Sequence, residues 1–181
     1  QIQGFFDIPV DNLFAAPTFV QHVKKNIKSK NLVCVAPDVG GVERARAIAK
    51  RLSADLAIID KRRSGPGTSE VMNVIGDVRN KICVIIDDLV DSGGTIVNAA
   101  TALKNKGAKD VYAYVVHGVL TGQAVKKINN SKIKKFVISN SILNSKKIKK
   151  SKKFQVISVG TLFAEAIKRI SISKSVSKLF K

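Results

Sequence analysis

Residues 81–95 read Lys-Ile-Cys-Val-Ile-Ile-Asp-Asp-Leu-Val-Asp-Ser-Gly-Gly-Thr. The apolar, β-branched run from Ile82 to Ile86 has no polar alternation, which is typical of a strand covered on both faces of a parallel sheet. Two adjacent carboxylates, Asp87 and Asp88, then stand at the predicted carboxyl end of that strand. A glycine turn and the first residues of an apolar helix follow. The stretch therefore predicts a buried strand, an acidic end and a tight turn into a helix.

The turn has the composition of an anion site. It contains Ser92, Gly93, Gly94 and Thr95. Unpaired backbone N–H groups and the positive end of the helix dipole point outward at a helix start, and glycines let the backbone approach a phosphate closely. A turn that only caps the helix is the alternative, but it would leave the neighbouring acids, including Asp91, without a role. We interpret the turn as a site for a phosphorylated sugar.

This stretch resembles the phosphoribosyl-binding signature of the type I phosphoribosyltransferase fold. Asp91, directly before Ser-Gly-Gly-Thr, makes it most similar to the version in ribose-phosphate pyrophosphokinases, the synthetases of phosphoribosyl pyrophosphate. The resemblance implies that ribose 5-phosphate is held by Asp87, Asp88, Asp91, Ser92, Gly93, Gly94 and Thr95.

A second segment repeats the same order of strand, acid, glycines and helix. Residues 36–46 read Ala-Pro-Asp-Val-Gly-Gly-Val-Glu-Arg-Ala-Arg and follow an apolar strand. Asp38 is a hard oxygen ligand of the kind that Mg²⁺ prefers, although an ordinary connection between a strand and a helix would also fit. The pattern resembles the synthetases closely, and this resemblance implies that Asp38 contacts magnesium.

A third segment, residues 58–67, runs from a strand into three cations and a Ser-Gly-Pro-Gly loop. Such a loop can close over substrate and stabilise charge on a transferring phosphoryl group; a solvated basic turn is the alternative. Together with residues 69–76 it resembles the catalytic flexible loop of the synthetases. The resemblance implies that Lys61 is the catalytic lysine of the transition state and that Arg63 is catalytic and binds ribose 5-phosphate or the product.

The opening residues also resemble the synthetases. In that family a similar segment follows a metal-contacting histidine that ends the amino-terminal half. The resemblance therefore implies that residues 1–16 are an interdomain segment left from a missing amino-terminal half and that residues 17–181 form the phosphoribosyltransferase-like carboxyl-terminal domain. It also implies a homo-oligomer, or a separate amino-terminal half, as a partner.

Strand and helix patterns alternate along the chain, which favours an α/β fold: a doubly wound, mainly parallel sheet with helices on both faces, as in type I phosphoribosyltransferases. The predicted strands are 32–36, 56–60, 82–86, 111–116, 135–139 and 155–159. The predicted helices are 18–27, 42–52, 95–106, 123–129 and 162–170.

The two histidines receive different predictions. His22 lies among polar residues of a helix and is expected at the surface. His117 ends a predicted strand at the ligand edge, in a segment similar to the Thr-His-Pro turn of the synthetases. We treat His117 as a site-lining, cofactor-binding residue, with a structural turn histidine as the alternative.

Composition fits one globular domain of 181 residues, but the net charge of +19 is unusual. Residues 111–164 hold eleven lysines and no acid. Because arginines and interleaved aromatics are scarce there, we interpret the stretch as a solvated basic face with weak attraction for nucleic acid or anionic membrane, and predict no specific nucleic-acid partner. No membrane span and no leader are expected. Cys34 and Cys83 fall in buried strands, which favours core thiols and a cytoplasmic location.

The sequence leaves three functions open. The first is ribose-phosphate diphosphokinase activity, in which Mg²⁺ and ATP as co-substrate deliver pyrophosphate to ribose 5-phosphate and release AMP. The second is a phosphoribosyltransferase that consumes phosphoribosyl pyrophosphate; the Asp-Lys-Arg-Arg loop and the Pro-Asp-x-Gly-Gly loop argue against it, so the first function is the leading one. The third is a non-catalytic sugar-phosphate-binding relic or regulatory partner.

Overall fold

The computed structural model describes residues 2–62 and 71–180. Its strands are β1 (Leu32–Ala36), β2 (Asp55–Arg62), β3 (Val71–Ile75), β4 (Ile82–Val90), β5 (Asp110–Gly118), β6 (Lys135–Ser139) and β7 (Phe154–Ile157). Its α-helices are α1 (Ala16–Asn26), α2 (Val42–Leu52), α3 (Gly94–Asn105), α4 (Ala124–Asn130), α5 (Ser145–Ile148) and α6 (Gly160–Ser171). Short 3₁₀ turns cover Ile2–Phe5, Val39–Gly41 and Val176–Phe180.

The strands form one seven-stranded sheet in the order β3-β2-β1-β4-β5-β6-β7. All neighbours pair in parallel except β2 and β3, which are antiparallel. The chain moves outward from β1 to β3 and then returns to place β4 on the other side of β1. The strand order therefore reverses between β1 and β4, where an open α/β sheet leaves a crevice for a ligand.

Two apolar layers cover the sheet, one on each face. The first packs α3, α4 and α5 through residues such as Ile96, Leu103 and Ile128. The second packs α1 and α2 through residues such as Phe19 and Ile48. The doubly wound fold predicted from the alternating pattern is confirmed.

Two strand predictions near the candidate site needed correction, and the predicted strand 155–159 begins at Phe154 and ends at Ile157. The predicted strand 82–86 continues to Val90, because its ladder with β5 extends to the pairs Leu89–His117 and Val90–Gly118. Asp87 and Asp88 therefore lie within β4 and not after it. Residues 71–75, which we assigned to a flexible loop, form the edge strand β3, held by antiparallel pairing such as Lys61 with Met72.

The predicted surface position of His22 was wrong. The ring is half-buried, with Nδ1 2.9 Å from the hydroxyl oxygen of Tyr114 and Nε2 3.0 Å from Nε2 of Gln155. Burial, with a smaller effect of Lys25, lowers the pKa of His22. His22 thus joins α1 to the sheet.

Cys34 and Cys83 are both free and buried. They lie on neighbouring strands but belong to opposite apolar layers, so their side chains point to different faces of the sheet. Among the residues that the structure describes, no helix combines the length and apolar character needed to cross a membrane.

Candidate functional site

The candidate site lies where the strand order reverses, between the loops that follow β1 and β4. The loop after β1 carries Asp38 and leads into α2, which carries Arg44. The end of β4 carries Asp87 and Asp88, and the turn after it opens α3. Parallel pairing of β1 with β4 brings these two loops to the same edge of the sheet.

Arg44 bridges the two adjacent carboxylates. Its Nη1 lies 3.3 Å from Oδ1 of Asp87, and its Nη2 donates to Oδ2 of Asp88. Asp87 also accepts a 2.9 Å hydrogen bond from the backbone N–H of Asp88. The guanidinium group offers several N–H donors in a fixed plane, so one side chain can neutralise both acids. The two carboxylates that we assigned to the sugar are therefore also contacted by a cation of the protein itself.

Asp87 and Asp88 differ in their surroundings. The Asp87 side chain is 15% exposed and that of Asp88 is 59% exposed. Burial raises the pKa of the Asp87 carboxyl to about 6; the charge of Asp88 also raises it, while Arg44 opposes the rise. Asp87 is thus a carboxylate that can exchange a proton near neutral pH.

The turn after β4 gives the backbone shape that the sequence predicts. Gly93 has φ +77° and is the N-cap of α3, with no side chain to occupy the first N–H groups of the helix. A Cβ at this position would also lie 3.4 Å from Ile128. The loop after β5 supports the turn, since Thr121 donates from its hydroxyl to Asp91 at 2.6 Å. The first turn of α3 therefore presents N–H donors in a fixed position.

Lys61 reaches this turn from the neighbouring part of the sheet. It lies in β2, and its Nζ is 3.3 Å from Oγ1 of Thr95 in the first turn of α3. A single ammonium group thus lies beside the helix N-terminus, where positive potential is already concentrated. This contact brings together two predicted site residues that are 34 positions apart in the sequence.

The hydrogen bond recorded for the Asp38 side chain lies within its own loop and does not involve Asp87, Asp88 or the turn after β4. Oδ1 of Asp38 accepts a 2.9 Å hydrogen bond from the backbone N–H of Gly41, which closes the 3₁₀ turn after β1. Within residues 2–62 and 71–180, no three His, Cys, Asp or Glu side chains form a group that could hold a metal ion. Mg²⁺ usually binds through one or two carboxylates together with water and substrate phosphates, so the donors of Asp38, Asp87 and Asp88 fit that ion.

Of the predicted site residues that the structure describes, His117 is not joined to this group of contacts. His117 is exposed at the end of β5, with Nδ1 2.9 Å from Oγ of Ser141, one strand away from the acidic pair. Arg63 and the loop interior 64–67 lie outside the described residues. The recorded contact of His117 agrees with the alternative of a structural turn histidine, and its role in cofactor binding stays a prediction.

Comparison with known proteins gives the family. The family model described as "Phosphoribosyl synthetase-associated domain" matches residues 63–181. The chain belongs to this family. The resemblance found in the acidic strand and glycine turn is thereby confirmed.

Individual relatives extend the match over nearly the whole chain. A ribose-phosphate pyrophosphokinase of Bradyrhizobium diazoefficiens is 54% identical over 180 residues, which are 99% of this chain and 57% of the relative. The protein of the same name from Brucella melitensis is 56% identical over 180 residues, 99% of this chain and 58% of the relative. The crystal structure of phosphoribosylpyrophosphate synthetase from Mycobacterium smegmatis superimposes with a TM-score of 0.85 at 33% identity, covering 96% of this chain and 56% of that one. The chain thus spans somewhat more than half the length of the relatives it matches.

Arg44 is the site residue that sequence reasoning missed. In the helical pattern of α2, Arg44 lies between apolar positions, and the pattern alone predicts a solvent-exposed arginine. A usable signal was present: Arg44 stands one turn after the glycine pair Gly40-Gly41, so it must face the same edge of the sheet as Asp38.

Proposed function

We propose that this chain supplies the sugar-phosphate site and part of the transfer site of a ribose-phosphate diphosphokinase. The reaction moves the diphosphate group of MgATP to the anomeric hydroxyl of ribose 5-phosphate and releases AMP. The family membership and the relatives named ribose-phosphate pyrophosphokinase support this proposal.

The observation that carries the proposal is the contact between Lys61 and Thr95. It puts an ammonium group at 3.3 Å from a hydroxyl of the anion-binding turn. Phosphoryl transfer depends mainly on positioning and on stabilising charge in the transition state. A cation at this position can stabilise charge on the transferring group, while the turn holds the sugar phosphate.

The remaining site residues would bind different parts of the two substrates. Ser92, Gly93, Gly94 and Thr95 would bind the 5-phosphate through backbone N–H and hydroxyl donors. Asp87, Asp88 and Asp91 would accept hydrogen bonds from the ribose hydroxyls, after Arg44 has moved from the first two. Arg63 would act with Lys61, and His117 would contact ATP.

Magnesium would be held by Asp38, together with substrate oxygens. When bound, it supplies charge neutralisation on the diphosphate and helps orient it. Arg44 and Lys61 are the described cations that would share this task from the protein. A cytoplasmic location is part of the proposal and agrees with the two reduced core thiols, Cys34 and Cys83.

Residues 1–16 and the oligomer belong to the same proposal. Several large apolar side chains lie exposed before and at the start of α1: Ile2, Phe5, Phe6, Ile8 and Phe14. We propose that they pack against the part of the synthetase that this chain does not match, or against a second copy. Either arrangement would complete the ATP site.

A binding experiment tests the sugar-phosphate site. Ribose 5-phosphate is titrated calorimetrically into the chain with Mg²⁺, and into the variants Thr95→Val and Thr101→Val. Both threonines lie in α3, but the hydroxyl of Thr101 donates to Val97 within the helix and is exposed. We expect Thr95→Val to weaken binding about tenfold or more, as for the loss of one hydrogen bond to a charged group, and Thr101→Val to have little effect. Equal binding by both variants would contradict the assigned turn.

A complementation experiment tests the reaction. The chain is mixed with MgATP, ribose 5-phosphate and the part of the Brucella melitensis relative that it does not match. AMP release that is lost in Lys61→Ala, with ribose 5-phosphate still bound, supports the diphosphokinase. Pyrophosphate release that requires phosphoribosyl pyrophosphate and a base would support a phosphoribosyltransferase. Sugar-phosphate binding without any release would support the non-catalytic alternative.

A further inference from the structure

Charge is strongly segregated along this chain. Twelve of the thirteen acids lie in residues 1–110, and the remaining one is Glu165. Residues 111–164 hold eleven lysines and no acid. We call these eleven side chains the lysine face: Lys126, Lys127, Lys132, Lys134, Lys135, Lys146, Lys147, Lys149, Lys150, Lys152 and Lys153.

Contacts join the two parts of the lysine face, residues 126–135 and 146–153. Nζ of Lys153 donates to the carbonyl oxygen of Ser131 at 2.6 Å. Nζ of Lys135 donates to the carbonyl oxygen of Lys152 at 2.8 Å. The segment after α4 and the segment after α5 are therefore neighbours, and their lysines form one continuous region of the surface.

Most of this charge is not neutralised within the described part of the protein. Lys134 makes the one ion pair recorded for these lysines there, 2.9 Å from Asp110. Lys135, Lys147 and Lys153 donate to backbone carbonyls, which carry no net charge. Every lysine of the face is exposed except Lys153, which is half-buried, and burial lowers the pKa of Lys153.

The candidate active site does not account for most of this face; Lys147 is the exception, because its Nζ donates to the carbonyl oxygens of Val119 and Leu120 after β5, at the carboxyl edge of the sheet. Residues 131–135 and 149–153 precede β6 and β7, so they lie at the amino edge of the parallel sheet. The acidic pair and the glycine turn lie at the opposite, carboxyl edge. Lys149 is the C-cap of α5, where a cation interacts favourably with the helix dipole, but the other lysines of these two turns lie beyond the helix ends.

We propose that the lysine face binds the phosphodiester backbone of nucleic acid without sequence preference. Adjacent ammonium groups repel each other, and a ligand with closely spaced phosphates relieves this repulsion while releasing counterions. Base recognition is not expected, because residues 111–164 contain no arginine and Phe136 is fully buried against Phe154. Phe163 is exposed, but it lies in α6, which carries none of the lysines of the face. Phosphate contacts alone give affinity that depends on salt and not on sequence.

Nucleic acid fits this face better than an anionic membrane does. A helix that binds a membrane surface inserts an apolar side between lipid headgroups. Of the apolar residues of the two helices, Ala124 and Ile128 in α4 and Ile148 in α5 are buried in the core of the protein, and Val125 in α4 is half-buried against the same core. The lysines are left without an apolar surface on these helices that could enter the bilayer.

The test measures binding of a fluorescent 20-nucleotide RNA of mixed sequence by anisotropy over a range of salt concentrations. The test variant replaces Lys146, Lys149, Lys150 and Lys152 by Gln, since no hydrogen bond is recorded for these four side chains within the described residues. The matched control makes the same replacement at Lys24, Lys25, Lys28 and Lys30, four exposed lysines at the end of α1 and before β1. Both variants lose four charges.

Each phosphate contact on a single strand contributes about 0.7 to the slope of log affinity against log salt. Because the test variant loses four lysines, we expect the magnitude of its slope to fall by about 3. The control should keep most of the slope. A second RNA of scrambled sequence should bind equally, and amide shifts on adding RNA should map to residues 126–153. Equal losses in both variants, binding only to anionic phospholipid vesicles, or a strong preference for one sequence would each overturn the proposal.

Discussion

Charge balance at single residues sets the state of the candidate site. Asp87 is largely buried beside exposed Asp88, and one guanidinium group, that of Arg44, contacts both. Two neighbouring carboxylates repel each other, and either a cation lying across them or protonation of one of them relieves that repulsion. Binding of Mg²⁺ or of a sugar at this pair therefore competes with an interaction inside the protein.

The raised pKa of Asp87 gives a prediction for stability against pH. Its pKa is about 6 in the folded protein, whereas an unfolded aspartate titrates near 3.9. The folded state thus binds the proton more tightly, and the contribution of this group to stability is lost as pH rises from about 4 to about 6. In Asp87→Asn, the free energy of unfolding should not show this decrease with rising pH, because asparagine does not titrate. Urea unfolding at pH 4.5, 5.5 and 6.5 measures it.

The control for this prediction is Asp7→Asn, which removes an exposed carboxylate far along the chain from the site. The difference in unfolding free energy between Asp87→Asn and the unchanged protein should grow in favour of the variant as pH rises. A difference that is constant over this pH range would contradict the assigned proton.

Arg44 supports a second prediction, on metal affinity. Removing a cation that occupies two carboxylates should make those carboxylates more available to a divalent ion. We expect Arg44→Ala to bind Mn²⁺ about three- to fivefold more tightly in the absence of substrate, since a partly exposed ion pair contributes at most about 1 kcal/mol. Electron paramagnetic resonance of free Mn²⁺ measures the change. Arg46→Ala, an exposed arginine of the same helix, is the matched control, and an equal change there would show a general charge effect.

At the level of elements, the local sequence pattern was sufficient to predict the limits of strands and helices that have a regular pattern of buried apolar residues. Strands β1 and β6 and helix α2 were predicted at their observed limits, because apolar residues fill each of them at the period of the element. The extra length of β4 was not predictable locally, since its last residues stay extended through pairing with His117 and Gly118 of β5. Strand β3 was missed because it is a five-residue edge strand with only one paired neighbour.

The sequence predicted the local part of the candidate site but not the contacts between distant residues. The glycine turn and its acids follow each other in sequence, so their proximity could be inferred without a structure. Family resemblance implied a catalytic role for Lys61, but not its contact with Thr95, because that contact depends on the order of β2, β1 and β4 in the sheet. Arg44 was overlooked because nothing in an amphipathic helix marks one arginine as paired across to a neighbouring strand.

The turn into α3 makes a third prediction, on backbone conformation. Gly93→Ala should lose about 1 to 2 kcal/mol of stability from the left-handed backbone alone, and more from contact with Ile128 at 3.4 Å. Gly122→Ala separates the two effects, since Gly122 has φ +51° but open space around it. Urea unfolding should show the larger loss for Gly93→Ala. Equal losses would mean that packing against α4 does not restrict the turn.

Across the whole molecule, the sheet divides the protein into two layers that share the same strands. Cys34 on β1 contributes to the layer of α1 and α2, whereas Cys83 on β4 contributes to the layer of α3, α4 and α5. Both layers pack against one continuous ladder from β1 to β5. If one layer unfolds, the strands lose the packing on that face, and the other layer packs against those same strands. The two layers should therefore unfold together.

The two cysteines make this cooperativity measurable. Burial raises the pKa of both Cys34 and Cys83 to about 12, so neither thiol should react with a thiol reagent near neutral pH while the protein is folded. In Cys34→Ala and Cys83→Ala, the remaining thiol reports on one layer at a time. Each variant is labelled with iodoacetamide in increasing urea, and circular dichroism gives its own unfolding midpoint as the reference. Labelling should begin at that midpoint in both variants. If one thiol reacted at clearly lower urea than the loss of secondary structure, its layer would open independently and the sheet would not couple the two sides.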